Sequence, residues 1–155
     1  MMKFTRVLAC AVLCVTVAAC SDDDGTNNGG DDEGNTMSAT IDGIAWNANL
    51  AVQGTYQGGA LVIGGTNTNQ RGINIAIPQI SQTGTYDAGP GFNAVVTYNI
   101  GQQAWVTSNV GGTGTVTVTQ LSATHVKGTF SVTAVGASGA VGTKVITNGK
   151  FELDF

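Results

Sequence analysis

The stretch GGTGTVTVTQLSATHVKGTFSVTAV, residues 111–135, decides the fold. Val116 and Val118 alternate with threonines, Phe130, Val132 and Ala134 repeat the same beat, and Ser122 to Thr124 interrupt it. An apolar residue at every second place gives a strand one buried and one solvated face. Two such runs joined by a three-residue break predict neighbouring antiparallel strands.

Outward from this stretch the period of two recurs. It is present in Trp46, Ala48, Leu50 and Val52, in Leu61 and Ile63, and in Ile73, Ile75 and Ile77. It returns in Val96, Tyr98 and Ile100, and again in Phe151, Leu153 and Phe155. No amphipathic helical period of useful length competes with it. Asp42-Gly43 has the signature of a type I′ hairpin, whose two central residues both need positive φ. Asn148-Gly149 has it too, although one bulged terminal strand from Lys144 to Phe155 fits equally. Further breaks fall at Gly58-Gly59, Asn67 to Gly72, Ala88 to Gly91, Gly101-Gln102, Gly111-Gly112 and Gly136 to Gly142. About eight to ten strands follow, and their short connections exclude parallel crossovers. The expected fold class is therefore all-β, an antiparallel meander. A two-sheet sandwich is the arrangement taken here, with a flattened up-and-down barrel as the alternative.

The charge is unevenly placed. The whole chain carries a formal net charge of -4, yet residues 37–155 hold four acids and four bases. Six of the ten acids lie in residues 21–36, which contain no base and no aromatic or branched aliphatic side chain. Glycine, asparagine and acids in that proportion predict a flexible, self-repelling spacer. Its acids do not fit the calcium-loop spacing, which requires a glycine at position 6 and a glutamate at position 12.

Before the spacer, Lys3 and Arg6 precede an uncharged run from Val7 to Ala19, ended by Val17-Ala18-Ala19-Cys20. A basic start, a short apolar run and small residues describe a signal peptide, too short to span a bilayer. Cleavage at Cys10 would leave almost no apolar run, and Cys14 follows the bulky Leu13. Residues 1–19 are accordingly read as the signal, residues 20–36 as a lipidated Cys20 with its linker, and residues 37–155 as one domain. All three cysteines lie at or before position 20, so the domain has no thiol for a disulfide or a metal.

The Cys20 segment resembles the lipobox of bacterial lipoproteins, in which the cysteine thiol receives diacylglycerol. With SATIDGIAWNA (38–48), GTGTVTVTQL (112–121), VKGTFSVTA (126–134) and VITNGKFELDF (145–155), the chain is similar to small Bacteroidota lipoproteins whose β-rich domain has no assigned function. The resemblance implies a membrane partner through the lipid on Cys20 and an outer-membrane location. Ser21, Asp22, Asp23 and Asp24, directly after the cysteine, resemble the export signal that places such proteins on the cell surface.

Chemistry is sparse in the domain. His125, in the connection before the strand of Phe130, is the one histidine. Gly136-Ala137-Ser138-Gly139-Ala140 lacks the second glycine of a nucleophile elbow. Glu152 and Asp154 share a strand face opposite Phe151 and Leu153, where a solvated polar face is the simpler reading. No metal-binding spacing, phosphate loop or basic stripe is present, so neither cofactor nor nucleic acid is expected. Trp46 and Tyr98 fall in phase with core residues. Trp105 lies between Ala104 and Val106, which are taken as the inward pair, and that turns Trp105 outward. With Tyr56, Tyr86 and Phe92 near loops, it forms the expected ligand patch, for a glycan or protein partner. The expected function is a non-enzymatic, lipid-tethered binding or accessory module, with an envelope hydrolase as the alternative.

Overall fold

Alternation becomes strands throughout residues 34–155, which are the residues that the computed structural model describes. Cys20, Ser21, Asp22, Asp23 and Asp24 lie outside the described residues. In chain order the strands are β1 (Thr36–Ile41), β2 (Ile44–Asn47), β3 (Ala51–Gln57), β4 (Ala60–Thr66), β5 (Arg71–Ile77) and β6 (Gly84–Ala88). There follow β7 (Val95–Ile100), β8 (Gln103–Val106), β9 (Thr113–Leu121), β10 (His125–Ala137) and β11 (Thr143–Asp154). No helix occurs among the described residues.

All the ladders between these strands are antiparallel, and they join into one sheet in the order β2-β1-β11-β10-β8-β7-β5-β4-β3. The long strand β10 forks that sheet. On one side it pairs with β11, and on the other with β9 from Val126 to Thr133 and then with β8 from Val135 to Ala137. Strand β6 adds to the outer edge of β9. Because β10 is shared by both branches, the sheet bends without dividing, and it curls into a half-barrel. The single curled sheet stands nearer to the flattened barrel than to the two-sheet sandwich.

The two ends of the main path, β2 and β3, are consecutive in sequence and joined only by Ala48–Leu50. The curl follows from this short link. Ala48 N donates to Met37 O at 2.9 Å, whereas Leu50 N donates to Thr66 O at 3.1 Å, so the chain changes partner strand within three residues. The apolar alternation from Trp46 to Val52 thus runs through a corner rather than along one strand, and Leu50 is exposed. Asn35 braces the same gap. Its side chain accepts from Asp154 N at 2.7 Å and donates to Asp154 O at 3.2 Å and to Val52 O at 3.4 Å.

Inside the curl lies one apolar core that includes Met37, Leu61, Ile63, Ile73, Ile75 and Val96 from the main branch and Val116, Val118, Phe130, Phe151 and Leu153 from the fork. Full burial of each large aliphatic side chain stabilises the fold by about 1.5 to 3 kcal/mol before entropy is counted. At the turn after β1, Asp42 and Gly43 both take positive φ (50° and 82°) and Ile41 pairs with Ile44, the expected two-residue hairpin. Asn148-Gly149 instead forms a bulge within β11. Phe130 pairs with Gly149 and Val132 with Ile146, so Ser131 faces two residues, and Asn148 takes the positive φ of 52°.

Candidate functional site

Two cations occupy inward-facing positions at strand ends, and between them they mark one mouth of the half-barrel. Arg71 begins β5 in phase with Ile73 and Ile75, and Lys144 lies in β11 in phase with Ile146. Each is held by local chemistry. The buried Asn67 side chain accepts from Asn69 N at 3.0 Å and Arg71 N at 3.1 Å, closing the β4–β5 turn so that β5 starts at Arg71. Trp46 Nε1 donates to Arg71 O at 3.3 Å and fixes the indole beside it.

Lys144 is placed by the β1–β2 hairpin. Asp42 Oδ2 accepts from Lys144 Nζ at 2.7 Å, Asp42 Oδ1 accepts from Val145 N at 2.9 Å, and Asp42 N donates to Val145 O at 2.8 Å. The Lys144 hydrogen bond, followed by that from Val145 N, holds the Asp42 carboxyl below its usual value. Lys144 Nζ also lies 5.3 Å from the ring centroid of Trp105, close enough for attraction to the π face. Trp105 packs in turn against Tyr98, with centroids 5.8 Å apart.

These groups surround a pocket of about 150 Å³ lined by Asp42, Trp46, Arg71, Tyr98 and Lys144, with Ile41, Ile44 and Ile100 among the apolar walls. Tyr98 is only 2% exposed, and its hydroxyl reaches the water of the pocket, because no buried side-chain polar atom among the described residues is left without a partner. Burial raises its pKa above the ordinary phenol value, opposed by the charges of Arg71 and Lys144. The carboxyl and the phenol are therefore both displaced away from neutral pH, in opposite directions. Two cations against one carboxylate leave the pocket electropositive.

A family model described as a domain of unknown function, DUF6252, matches residues 34–152, from just before β1 to near the end of β11. The chain belongs to the DUF6252 family. No curated protein and no solved structure matches it.

Within this DUF6252 domain the expected aromatic patch is not assembled. Trp105 faces inward at 6% exposure and donates through Nε1 to Val141 O at 3.1 Å, which corrects the outward reading. Its neighbours Ala104 and Val106 face outward, opposite Asn99 and Thr97 of β7. Tyr56 is half-buried and donates to Ile80 O at 3.3 Å, while Tyr86 donates to Gln82 O at 2.6 Å. Both tyrosines thus pin the connection between β5 and β6. Phe92 is exposed after β6, and the aromatic pairs among the described residues, Tyr98–Trp105 and Phe130–Phe151, include none of these three.

The remaining charged candidates form an outer-face cluster. His125 opens β10, and its Nδ1 lies 2.7 Å from Asp154 Oδ1, while Lys127 Nζ lies 2.7 Å from Glu152 Oε2. Nearby, an open trough of about 500 Å³ runs across the outer faces of β1, β9, β10 and β11, lined by hydroxyls of Ser38, Thr119 and Thr129 with Lys150. Sequence reading singled out His125, Glu152 and Asp154 but not the mouth pocket, because Asp42, Arg71, Tyr98 and Lys144 come from four strands or turns. The available signal was a charge in phase with core residues.

Burial of both indoles has an optical consequence. Trp46 and Trp105 are 4% and 6% exposed, so iodide is expected to quench both weakly and Trp105→Phe to leave the quenchable fraction unchanged. A freely accessible component that disappears with Trp105→Phe would return that indole to the surface.

Proposed function

We propose that this DUF6252 protein is a non-catalytic binding module, tethered to the cell envelope through lipid on Cys20, that holds a small ligand in the mouth pocket. The charged lining carries the reading: Arg71 and the Asp42–Lys144 ion pair, 2.7 Å from Oδ2 to Nζ, border one pocket. Its carboxyl is pushed down by Lys144 and Val145, and its phenol is pushed up by burial. General acid–base catalysis is most effective with a group that titrates near the working pH, whereas a binding site benefits from fixed charges. The Cys20 lipobox and its resemblance to Bacteroidota lipoproteins support the tether, and a location at the outer membrane follows from the same resemblance.

The envelope-hydrolase reading makes the opposite prediction. Purified chain incubated with chromogenic esters, glycosides and phosphates is expected to release no chromophore above the buffer control. Release that falls with His125→Ala or Tyr98→Phe would overturn the non-catalytic reading.

A further inference from the structure

We infer that the mouth pocket selects a small organic monocarboxylate, and this deepens the binding reading on which it rests. Charge is the first argument. Arg71 forms no ion pair among the described residues, while Lys144 is already shared with Asp42. The three charges sum to one excess positive charge, which a monoanion neutralises and a dianion would exceed. A guanidinium also offers the paired, planar donors that suit a carboxylate.

The second argument is independent of the charges. Tyr98 is 2% exposed and lines the pocket, and since no buried side-chain polar atom among the described residues lacks a partner, its hydroxyl reaches the water in the pocket. From there the hydroxyl can donate a hydrogen bond to a ligand oxygen beside Arg71 in exchange for water. The Trp46 indole N–H is already given to Arg71 O, so it is not a further donor to the ligand. Its ring remains as an apolar wall.

The third argument concerns the body of the ligand. About 150 Å³ corresponds to roughly five water volumes, enough for a compact organic group. Ile41, Ile44, Ala45 and Ile100 join Trp46 around that space, and such walls favour hydrocarbon over the hydration shell of an inorganic ion. A carboxylate at the cationic end and a short apolar or ring body against the isoleucines satisfy both halves.

Sodium benzoate is the probe, with benzyl alcohol as its neutral counterpart and inorganic phosphate as a bodiless anion. The full chain, labelled with ¹⁵N, is titrated at constant ionic strength while the indole N–H resonances of Trp46 and Trp105 are followed. Benzoate is expected to move the Trp46 resonance saturably, and benzyl alcohol and phosphate are expected to bind at least about tenfold more weakly. Arg71→Gln should weaken benzoate by about tenfold or more and Tyr98→Phe by a smaller factor, with thermal midpoints close to the parent's. Lys127→Gln, on the outer face, should change nothing.

No saturable movement with benzoate, or equal affinity in Arg71→Gln, would overturn the inference. Tighter binding of benzyl alcohol would also overturn it while leaving a binding module in place, and tighter phosphate would replace the organic ligand with an inorganic one. Turnover of a chromogenic substrate, by contrast, would remove the non-catalytic reading and leave the carboxylate selectivity standing.

Discussion

Phe130→Ala is expected to lower the unfolding free energy of the domain by about 3 to 5 kcal/mol, and Gly149→Ala by about 2 to 3 kcal/mol, although the second change adds only one methyl group. The two residues face each other across β10 and β11, and Phe130 is 3% exposed. A Cβ on Gly149 would stand 2.6 Å from Phe130 Cδ1 and 2.6 Å from Phe130 O, where no real side chain fits. The glycine therefore exists to receive the ring. The same exchange occurs two pairs along the ladder, on the same face, where Gly128 faces Phe151, and the two rings stack with centroids 6.4 Å apart. Urea denaturation of the double mutant tests the interlock. Removing the ring relieves its contacts with the new methyl group but not the contact with Phe130 O, so the double mutant should lose about 1 kcal/mol less than the sum of the singles. Strict additivity would show that the ring and the glycine do not depend on each other.

The strands were legible wherever alternation was long. Ile73, Ile75 and Ile77, and likewise Phe130, Val132 and Ala134, are buried as the period of two requires. Strand β8 was not legible in phase, because Ala104, Trp105 and Val106 are three apolar residues in succession within a strand of four. Only its pairing with β7 and β10 decides that Trp105 turns inward. Leu50 failed for a different reason, since a period of two survives a corner that changes the partner strand. The bulge at Asn148-Gly149 uses the same positive-φ chemistry as a hairpin, and local sequence carries no information on which neighbour lies opposite.

The mouth pocket was less legible than the fold because its residues are far apart in the chain. Asp42 reads locally as a turn residue, which it is, and Tyr98 reads locally as core, which it also is. The pocket arises when the curl sets the β1–β2 hairpin beside β11 and the start of β5. Arg71 and Lys144 did carry a trace of it. A cation in phase with isoleucines on the buried face must either be paired or reach an opening, and in a curled sheet the openings lie at strand ends.

Replacing Asp22, Asp23 and Asp24 by alanine is expected to leave lipidation intact and to remove the domain from protease or antibody access on whole cells. Under the proposed tether, Cys20→Ala should release or mislocalise the protein altogether, because the acyl chains of the diacylglycerol on that thiol would be its anchor. The argument for Asp22 to Asp24 rests on position. Three carboxylates directly follow Cys20-Ser21 in the sequence, and with the proposed lipid on Cys20 they would set a compact negative charge beside the acyl chains, where a sorting receptor would meet it. Asp31, Asp32 and Glu33 carry the same charge about ten residues further on in the sequence, too far from Cys20 to act as a signal that must abut it. Composition cannot separate the two clusters, but distance from the anchor can. Neutralising Asp31, Asp32 and Glu33 should therefore leave surface exposure as it was. Loss of exposure with either cluster would make total charge the signal, and retained exposure after the first replacement would reduce Asp22, Asp23 and Asp24 to spacer as well.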